Sequence, residues 1–147
     1  RGVPVDLVES IGARAVAAET TPPERLRALA GNIDLVYEAM GAPQTAFEVL
    51  RHLGANGVFL FTGAPQRGTA IDFPTHEVML NLIVRNQAII GNVNAGPGAF
   101  DAAIAHLAAF CRQWPAAVRA LITHRYPLEG FRDAIFGPGI KNVITLE

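Results

Sequence analysis

Apolar runs alternate with helical patterns along the middle of this chain. Residues 33–37 are a nearly continuous apolar run, residues 56–63 have the apolar run 58–61 at their centre, and a third apolar run begins at 87. Between these runs, residues 42–53 have the hydrophobic spacing of an amphipathic helix, and Pro74 predicts the start of a second helix that runs to about Arg85. Strands that are apolar along their length and alternate with helices predict a parallel α/β sheet with both faces covered.

The flanking segments predict further elements. Before the sheet, the pattern predicts a helix over 5–11, a strand over 13–18 and a short helix over 24–30. Thr69–Phe73 resembles a hairpin, and Pro97–Trp114 has the apolar stripe of a long helix. The tail predicts a strand, a helix from Leu128 to Phe136 and a last strand.

This organisation predicts two parts. Residues 1–115 form a partial dinucleotide-binding, Rossmann-like domain that lacks the first strands, and residues 116–147 form a separate tail. The Gly-x-Gly-x-x-Gly turn of a complete dinucleotide fold is absent from the sequence.

Polar or glycine-containing segments follow each of the three central strands: 38–41, 61–64 and 92–96. The carboxyl ends of parallel strands meet at one edge of a sheet, and ligands bind there. Glycines let a flat ligand lie against the backbone, whose N–H and C=O groups can bind a carboxamide. Asn92 and Asn94 add two side-chain amides, so we expect a polar ligand at this edge.

Simpler interpretations remain open for each of these residues. Asn92 and Asn94 are also typical of turns, where asparagine adopts left-handed backbone and binds its own peptides. Glu38 is expected to make a structural hydrogen bond at the end of its strand. Thr62 and Gly63 are equally consistent with an ordinary exit from a strand.

Composition narrows the class of partner. Of the 147 residues, 50% are hydrophobic and 17% are charged, with a mean hydropathy of +0.27 and a net charge of −1. Without a basic run, the chain is not expected to bind nucleic acid or an anionic membrane. The high apolar content instead indicates buried sheet faces or contact with another chain. The single cysteine, Cys111, fits a reducing cytoplasm, which is the expected location.

No metal site is predicted from these residues. A zinc site needs three or four converging ligands, and no histidine has ligand spacing to another or to Cys111. The histidines concerned are His52, His76, His106 and His124.

Three stretches together carry a family resemblance. "NIDLVYEAMGAPQTAFEVLRHLGANGVFLFTGAP", "IIGNVNAGPGAFDAAIAHL" and "GIKNVITLE" resemble the C-terminal portion of glucose 1-dehydrogenases, within the zinc-containing medium-chain dehydrogenase/reductase superfamily. The resemblance extends from about Val5 to Glu147. It implies an oxidoreductase that oxidises an aldose, with glucose the expected substrate, at its anomeric carbon, and passes hydride to NAD or NADP.

The resemblance also implies roles for particular residues. It places the backbone of Thr62, Gly63 and Ala64, and that of Asn92, Val93 and Asn94, against the nicotinamide half of the cofactor. It further brings Asn94 to the sugar and Lys141 near the cofactor. Lys141 is equally open to interpretation as a solvated surface residue.

One residue departs from the family pattern, and other parts of the site are not in the chain. Family members commonly have "EATG" where this chain has Met40, so a thioether replaces a hydroxyl. The resemblance places the catalytic zinc ligands and the phosphate loop N-terminal to Arg1, and it implies that the tail, residues 116–147, would rejoin the catalytic domain there. We therefore expect this chain to be part of a longer enzyme and to be inactive alone.

Other functions and an assembly follow as alternatives and expectations. The chain could be a non-catalytic fold or oligomerisation domain, or part of a polyol or alcohol dehydrogenase of the same superfamily. The choice between NAD and NADP is not readable, because the selecting residue would lie upstream. Residues 87–93 are expected to be an edge strand that pairs with a second copy, the alternative being cover by the loop 63–73.

Overall fold

A computed structural model describes residues 4–65, 68 and 70–146 of the chain. The helices and strands, in chain order, are α1 (Val5–Glu9), α2 (Leu26–Ala30), β1 (Leu35–Glu38), α3 (Pro43–Leu50), β2 (Val58–Phe61), α4 (Thr75–Val84), β3 (Ala88–Gly91), α5 (Pro97–Gln113), α6 (Pro115–Leu121), β4 (Ile122–Pro127), α7 (Phe131–Phe136) and β5 (Lys141–Thr145). Short 3₁₀ turns, Pro23–Arg25 and Leu128–Gly130, lead into α2 and α7.

The described residues form two compact units. One comprises the described residues from 17 to 94, and the other combines 4–16 with 95–146. The first contains β1 to β3, and the second contains β4 and β5. The division into a dinucleotide-binding part, 1–115, and a tail, 116–147, stays a prediction.

The first unit is built on a three-stranded parallel sheet in the order β1-β2-β3. The ladder pairs Glu38 with Phe61 and Phe61 with Gly91, so the carboxyl ends of all three strands meet at one edge. The predicted parallel α/β sheet is therefore confirmed. Among the described strands β3 pairs only with β2, which confirms its predicted position at the edge of the sheet.

One face of this sheet carries the core. Phe59 and Leu53 are fully buried, and Leu50 of α3 and Val78 of α4 complete the centre of the cluster. Phe47, on the same helix as Leu50, packs its ring on Phe61 at a centroid distance of 5.6 Å. Apolar side chains of α3 and α4 therefore cover this face.

The opposite face is apolar but lies open within the first unit. Alternation along the strands places Leu35 and Tyr37 on it, and each is 63% exposed. Ile90 of β3 lies on the same face and is 47% exposed. The prediction that helices cover both faces is thus confirmed for the face that carries Phe59, whereas these three side chains of the other face remain exposed.

The second unit contains the predicted strand-helix-strand tail. β4 and β5 are parallel, and α7 lies between them in sequence. The Asn142 side chain donates to the carbonyl of Ala134 at 3.1 Å, and the Thr145 hydroxyl donates to that of Tyr126 at 3.2 Å. These bonds join β5 to α7 and to β4.

Two local predictions were wrong. Residues 13–18 form no strand, since none of the described strands pairs with them and a strand needs a ladder partner. Residues 70–73 do not form a hairpin, and Thr69 lies outside the described residues. The long helix predicted up to Trp114 ends at Gln113, and Pro115 begins a further helix, α6, because proline is well suited to the first helical position.

Within the described part of the chain, no helix combines the length and the apolar character needed to cross a membrane.

Candidate functional site

The first part of the site is the turn that follows β1. Oε1 of Glu38 accepts two backbone hydrogen bonds, from the N–H of Met40 at 2.8 Å and from that of Gly41 at 2.7 Å. Gly41 has a φ of +67°, which a residue with a side chain rarely adopts. The expectation that Glu38 makes a structural hydrogen bond at the end of its strand is confirmed.

The segment after β2 is fastened to the same residue. The N–H groups of Thr62 and Gly63 donate to the carbonyl oxygen of Glu38 at 2.9 and 3.1 Å. The hydroxyl of Thr62 donates to that oxygen as well, at 2.8 Å. The side chain of Glu38 therefore holds one turn, and its carbonyl holds the next.

The two segments lie so close together that only glycine fits at the contact. A Cβ at Gly63 would overlap the backbone nitrogen of Gly41 and come within 2.8 Å of Glu38 Oε2. A Cβ at Gly41 would lie 2.5 Å from the carbonyl oxygen of Ala64. Backbone thus lies against backbone. We call these two closely packed segments, 38–41 and 62–64, the ledge at the edge of the sheet.

The third segment, Asn92 to Asn94, continues from β3. The N–H of Asn92 donates to the carbonyl of Phe61 at 3.0 Å, which ties the start of this segment to β2. The side chains beyond that point are exposed, Val93 at 87%. The edge of the sheet therefore presents this segment to solvent.

The two asparagines do not show the turn chemistry considered as their alternative. Neither has a positive φ, whereas Asn56 and Asn86 do, at 58° and 51°. Among the described residues, neither side-chain amide of Asn92 or Asn94 has a hydrogen-bond partner. Within the part of the chain that the structure describes, both amides are therefore available to a ligand.

Lys141 begins β5 in the second unit. Its backbone pairs with Ile122, and its side chain is exposed. It is also the only lysine among the 12 basic residues of the chain. The salt bridge of the described residues joins Arg51 to Glu77, so Lys141 has no carboxylate partner there.

The described residues do not supply a metal centre. No three His, Cys, Asp or Glu side chains in 4–65, 68 and 70–146 lie close enough to share a metal ion. Segments 62–64 and 92–94 also contain no side chain that titrates near neutral pH. What they offer is hydrogen-bonding backbone and amides, which suits binding and orientation of a ligand and not proton transfer.

Sequence reasoning missed the double role of Glu38 and the contact between two glycines. The order Glu-x-x-Gly directly after an apolar strand was the available signal, because a strand-end carboxylate can accept N–H groups two and three residues ahead. The approach of Gly41 to Gly63 joins residues far apart in sequence and had no signal of its own.

Comparison with known proteins places this arrangement in a family. The family described as glucose dehydrogenase C-terminus matches residues 1–146. Glucose 1-dehydrogenase of Halobacterium salinarum is 32% identical over 141 residues, which are 96% of this chain and 38% of that protein. Glucose 1-dehydrogenase of Thermoproteus tenax is 34% identical over 129 residues, 87% of this chain and 35% of that protein.

Solved structures agree with the sequence matches. The glucose dehydrogenase of Haloferax mediterranei superposes with a TM-score of 0.84 at 26% identity, over 100% of this chain and 42% of that one. The same enzyme has been solved in complex with NADP, Zn and gluconolactone. Benzyl alcohol dehydrogenase of Acinetobacter calcoaceticus, at 22% identity and a TM-score of 0.73, shares the fold.

The chain therefore spans less than half the length of these relatives. It covers 38% of the Halobacterium salinarum enzyme and 42% of the Haloferax mediterranei structure. The family match over residues 1–146 and the superposition on a solved glucose dehydrogenase agree. This chain belongs to the glucose dehydrogenase C-terminus family.

Proposed function

We propose that this chain is the nucleotide-binding, C-terminal part of an NAD(P)-dependent glucose 1-dehydrogenase. The whole enzyme would oxidise an aldose, most readily glucose, at its anomeric carbon. The observation that carries the proposal is the sheet edge itself, where three strand ends meet and Asn92 and Asn94 present amides without a partner in the described residues. Family membership supplies the chemistry that such an edge would serve.

The cofactor would lie with its nicotinamide half on this edge. The backbone of Thr62, Gly63 and Ala64 would face the carboxamide, since the close packing of these residues fixes their peptide groups before any ligand arrives. The segment Asn92–Asn94 would border the ring from the neighbouring strand. A nicotinamide supplies the hydride acceptor, and these residues orient it and limit access of water.

Asn94 would also reach the sugar. An amide both donates and accepts, so it can bind a hydroxyl group in either sense. Lys141 would approach the cofactor as a cation. We propose this role because the lysine is exposed and has no carboxylate partner in the described residues.

The zinc ligands are proposed to come from the part of the enzyme that this chain does not contain. The described residues include no group of three potential ligands, so they do not fit a zinc site. No step involving zinc is assigned to them.

The test is a dehydrogenase assay of the full-length protein. Purified enzyme is mixed with glucose and with NAD or NADP, and reduced cofactor is followed by absorbance. We expect glucose-dependent reduction and formation of the lactone. Turnover of a polyol or an alcohol in place of any aldose would support the alternative substrate class, and absence of turnover with all of them would favour a non-catalytic domain.

A further inference from the structure

We propose that Glu38 is the positioning residue for the nicotinamide half of the cofactor. It touches neither cofactor nor sugar in this proposal, but it sets the place of the backbone that does. The inference rests on the proposed function, because it assigns the ledge of segments 38–41 and 62–64 to the nicotinamide.

The first step is that one residue fastens both halves of the ledge. Three donors converge on the carbonyl of Glu38 from Thr62 and Gly63, and two more converge on its carboxylate from Met40 and Gly41. No other described residue bonds to both segments through its backbone and its side chain together. A change at Glu38 therefore alters both turns.

The second step is that the two segments of the ledge are packed so closely that neither can move independently of the other. Gly41 and Gly63 touch through their backbones, and Glu38 Oε2 borders Gly63 directly. If the Glu38 carboxylate is removed, the turn at 39–41 loses the hydrogen bonds that hold it. Any movement of this turn toward segment 62–64 would then displace that segment. Peptide groups of Thr62 and Gly63 would then leave the positions in which they can bind a carboxamide, and a displacement of about 1 Å is enough to matter.

The third step concerns where this carboxylate lies. Glu38 is in register with Phe61, and alternation along β1 places it on the face that Val36 and Phe59 use for the core. Packing alone would favour an apolar residue at such a position. A half-buried carboxylate costs free energy unless hydrogen bonds offset the loss of water, and here the two N–H groups do so.

The experiment uses the full-length enzyme with Glu38→Ala and Glu38→Gln. Dissociation constants are measured for reduced cofactor, by its fluorescence, and for ADP-ribose or its 2′-phosphate, which lacks the nicotinamide. We expect Glu38→Ala to raise the constant for reduced cofactor by about 10-fold, the loss expected for hydrogen bonds to a charged group. The constant for the ADP-ribose compound should stay within about 2-fold, because that half binds elsewhere.

Two variants serve as references. Glu38→Gln keeps an oxygen that can accept both N–H groups, so it should restore most of the affinity. Glu48→Ala removes a carboxylate of α3 whose hydrogen bond in the described residues comes from Gln44, and it should leave both constants unchanged. Thermal unfolding of each variant is recorded alongside.

The outcomes separate the possibilities. Selective weakening of the reduced cofactor, with rescue by Glu38→Gln, supports the positioning role. Equal weakening of both ligands, or no change in either, overturns it. If Glu38→Ala does not fold, Glu38→Asp takes its place, since it keeps the charge but withdraws the carboxylate by one methylene. A wild-type enzyme that binds no reduced cofactor would overturn the proposed function instead.

Discussion

Single residues decide how the proposed ligands would be held at this sheet edge. The amides of Asn92 and Asn94 are identical in chemistry and two positions apart, yet only Asn94 is assigned to the sugar. Lys141 is the only lysine in a chain whose other basic residues are arginine. These assignments can each be tested by removing one functional group.

Replacing Asn94 by alanine should impair sugar turnover more than cofactor binding. The amide bound to a sugar hydroxyl is worth about 1–3 kcal/mol, so kcat/KM for glucose should fall by roughly 5- to 150-fold in the full-length enzyme. Asn92→Ala is the comparison within the segment, and Asn81→Ala on α4 is the control outside it. Unchanged kcat and KM for glucose in Asn94→Ala would show that this amide does not contact the sugar.

Removing the charge of Lys141 should raise the KM for the cofactor. If the contact is ionic, the wild-type KM rises with salt concentration and that of Lys141→Ala rises less, because salt screens a charge that the variant no longer has. Lys141→Arg keeps the charge and is the matched control. Equal KM values in the wild type and Lys141→Ala would leave the lysine as a solvated surface residue.

At the scale of elements, the strand-end loops are joined by contacts that glycine alone permits. Gly63 and Gly91 occupy neighbouring strand ends, and they differ sharply in surroundings. A Cβ at Gly63 would overlap the backbone of Gly41, whereas a Cβ at Gly91 meets nothing within 4 Å. Comparing alanine substitutions at Gly63 and Gly91 therefore separates the effect of a steric clash from the effect of losing a glycine's backbone flexibility.

Gly63→Ala should destabilise the protein and weaken cofactor binding, while Gly91→Ala should do neither. Forcing one methyl group into a filled space costs about 1–3 kcal/mol, and the loop must move to make room for it. The checks are thermal unfolding and cofactor titration of both variants. Similar behaviour of the two would show that the ledge can adjust.

The elements were largely predictable, but their environment was not. The three parallel strands and helices α3 to α5 follow from apolar runs and helical spacing, which are local properties. The strand predicted over 13–18 was wrong because a strand forms only with a partner, and the sequence pattern does not show whether a partner is present. The ledge could not be predicted for a similar reason, since Gly41 and Gly63 come into contact only once the sheet has formed.

At the scale of the whole molecule, the chain leaves apolar surface that the described residues do not cover. One face of the sheet carries Leu35 and Tyr37, and β3 lies at the edge with Ile89 and Ile90 at 40% and 47% exposure. Both features suit a part of a larger assembly.

The 147-residue chain alone should show no dehydrogenase activity. It lacks the Gly-x-Gly-x-x-Gly turn whose helix N-terminus binds the cofactor phosphates, and its described residues include no metal-ligand cluster. The assay is reduction of NAD and NADP by the purified chain with glucose, beside the full-length enzyme. Glucose-dependent reduction by the chain alone would contradict the proposal.

A charge in the edge strand should change the oligomeric state of the full-length enzyme. Ile89→Lys places an ammonium group in β3, so a dimer paired through residues 87–93 should become monomeric or aggregate in light scattering. Ile83→Lys on α4, where the side chain is 67% exposed, is the control. The N–H groups of Ala88 and Asn92 donate toward β2, so the N–H of Ile89 points away from β2, toward the free edge. Ile89→Pro removes this outward-pointing donor without adding a charge. A mass unaffected by both Ile89 variants would place the interface elsewhere.

The free edge of β1 has a consequence for amide hydrogen exchange. Asp34 and Glu38 accept bonds from β2, so the intervening N–H groups of Leu35 and Tyr37 point away from the sheet and are open to solvent in the chain alone. They should exchange with deuterium far faster than the amides of β2, which lies between two neighbours. In the full-length enzyme, slow exchange at these same two amides would identify β1 as the strand to which the rest of the sheet is joined.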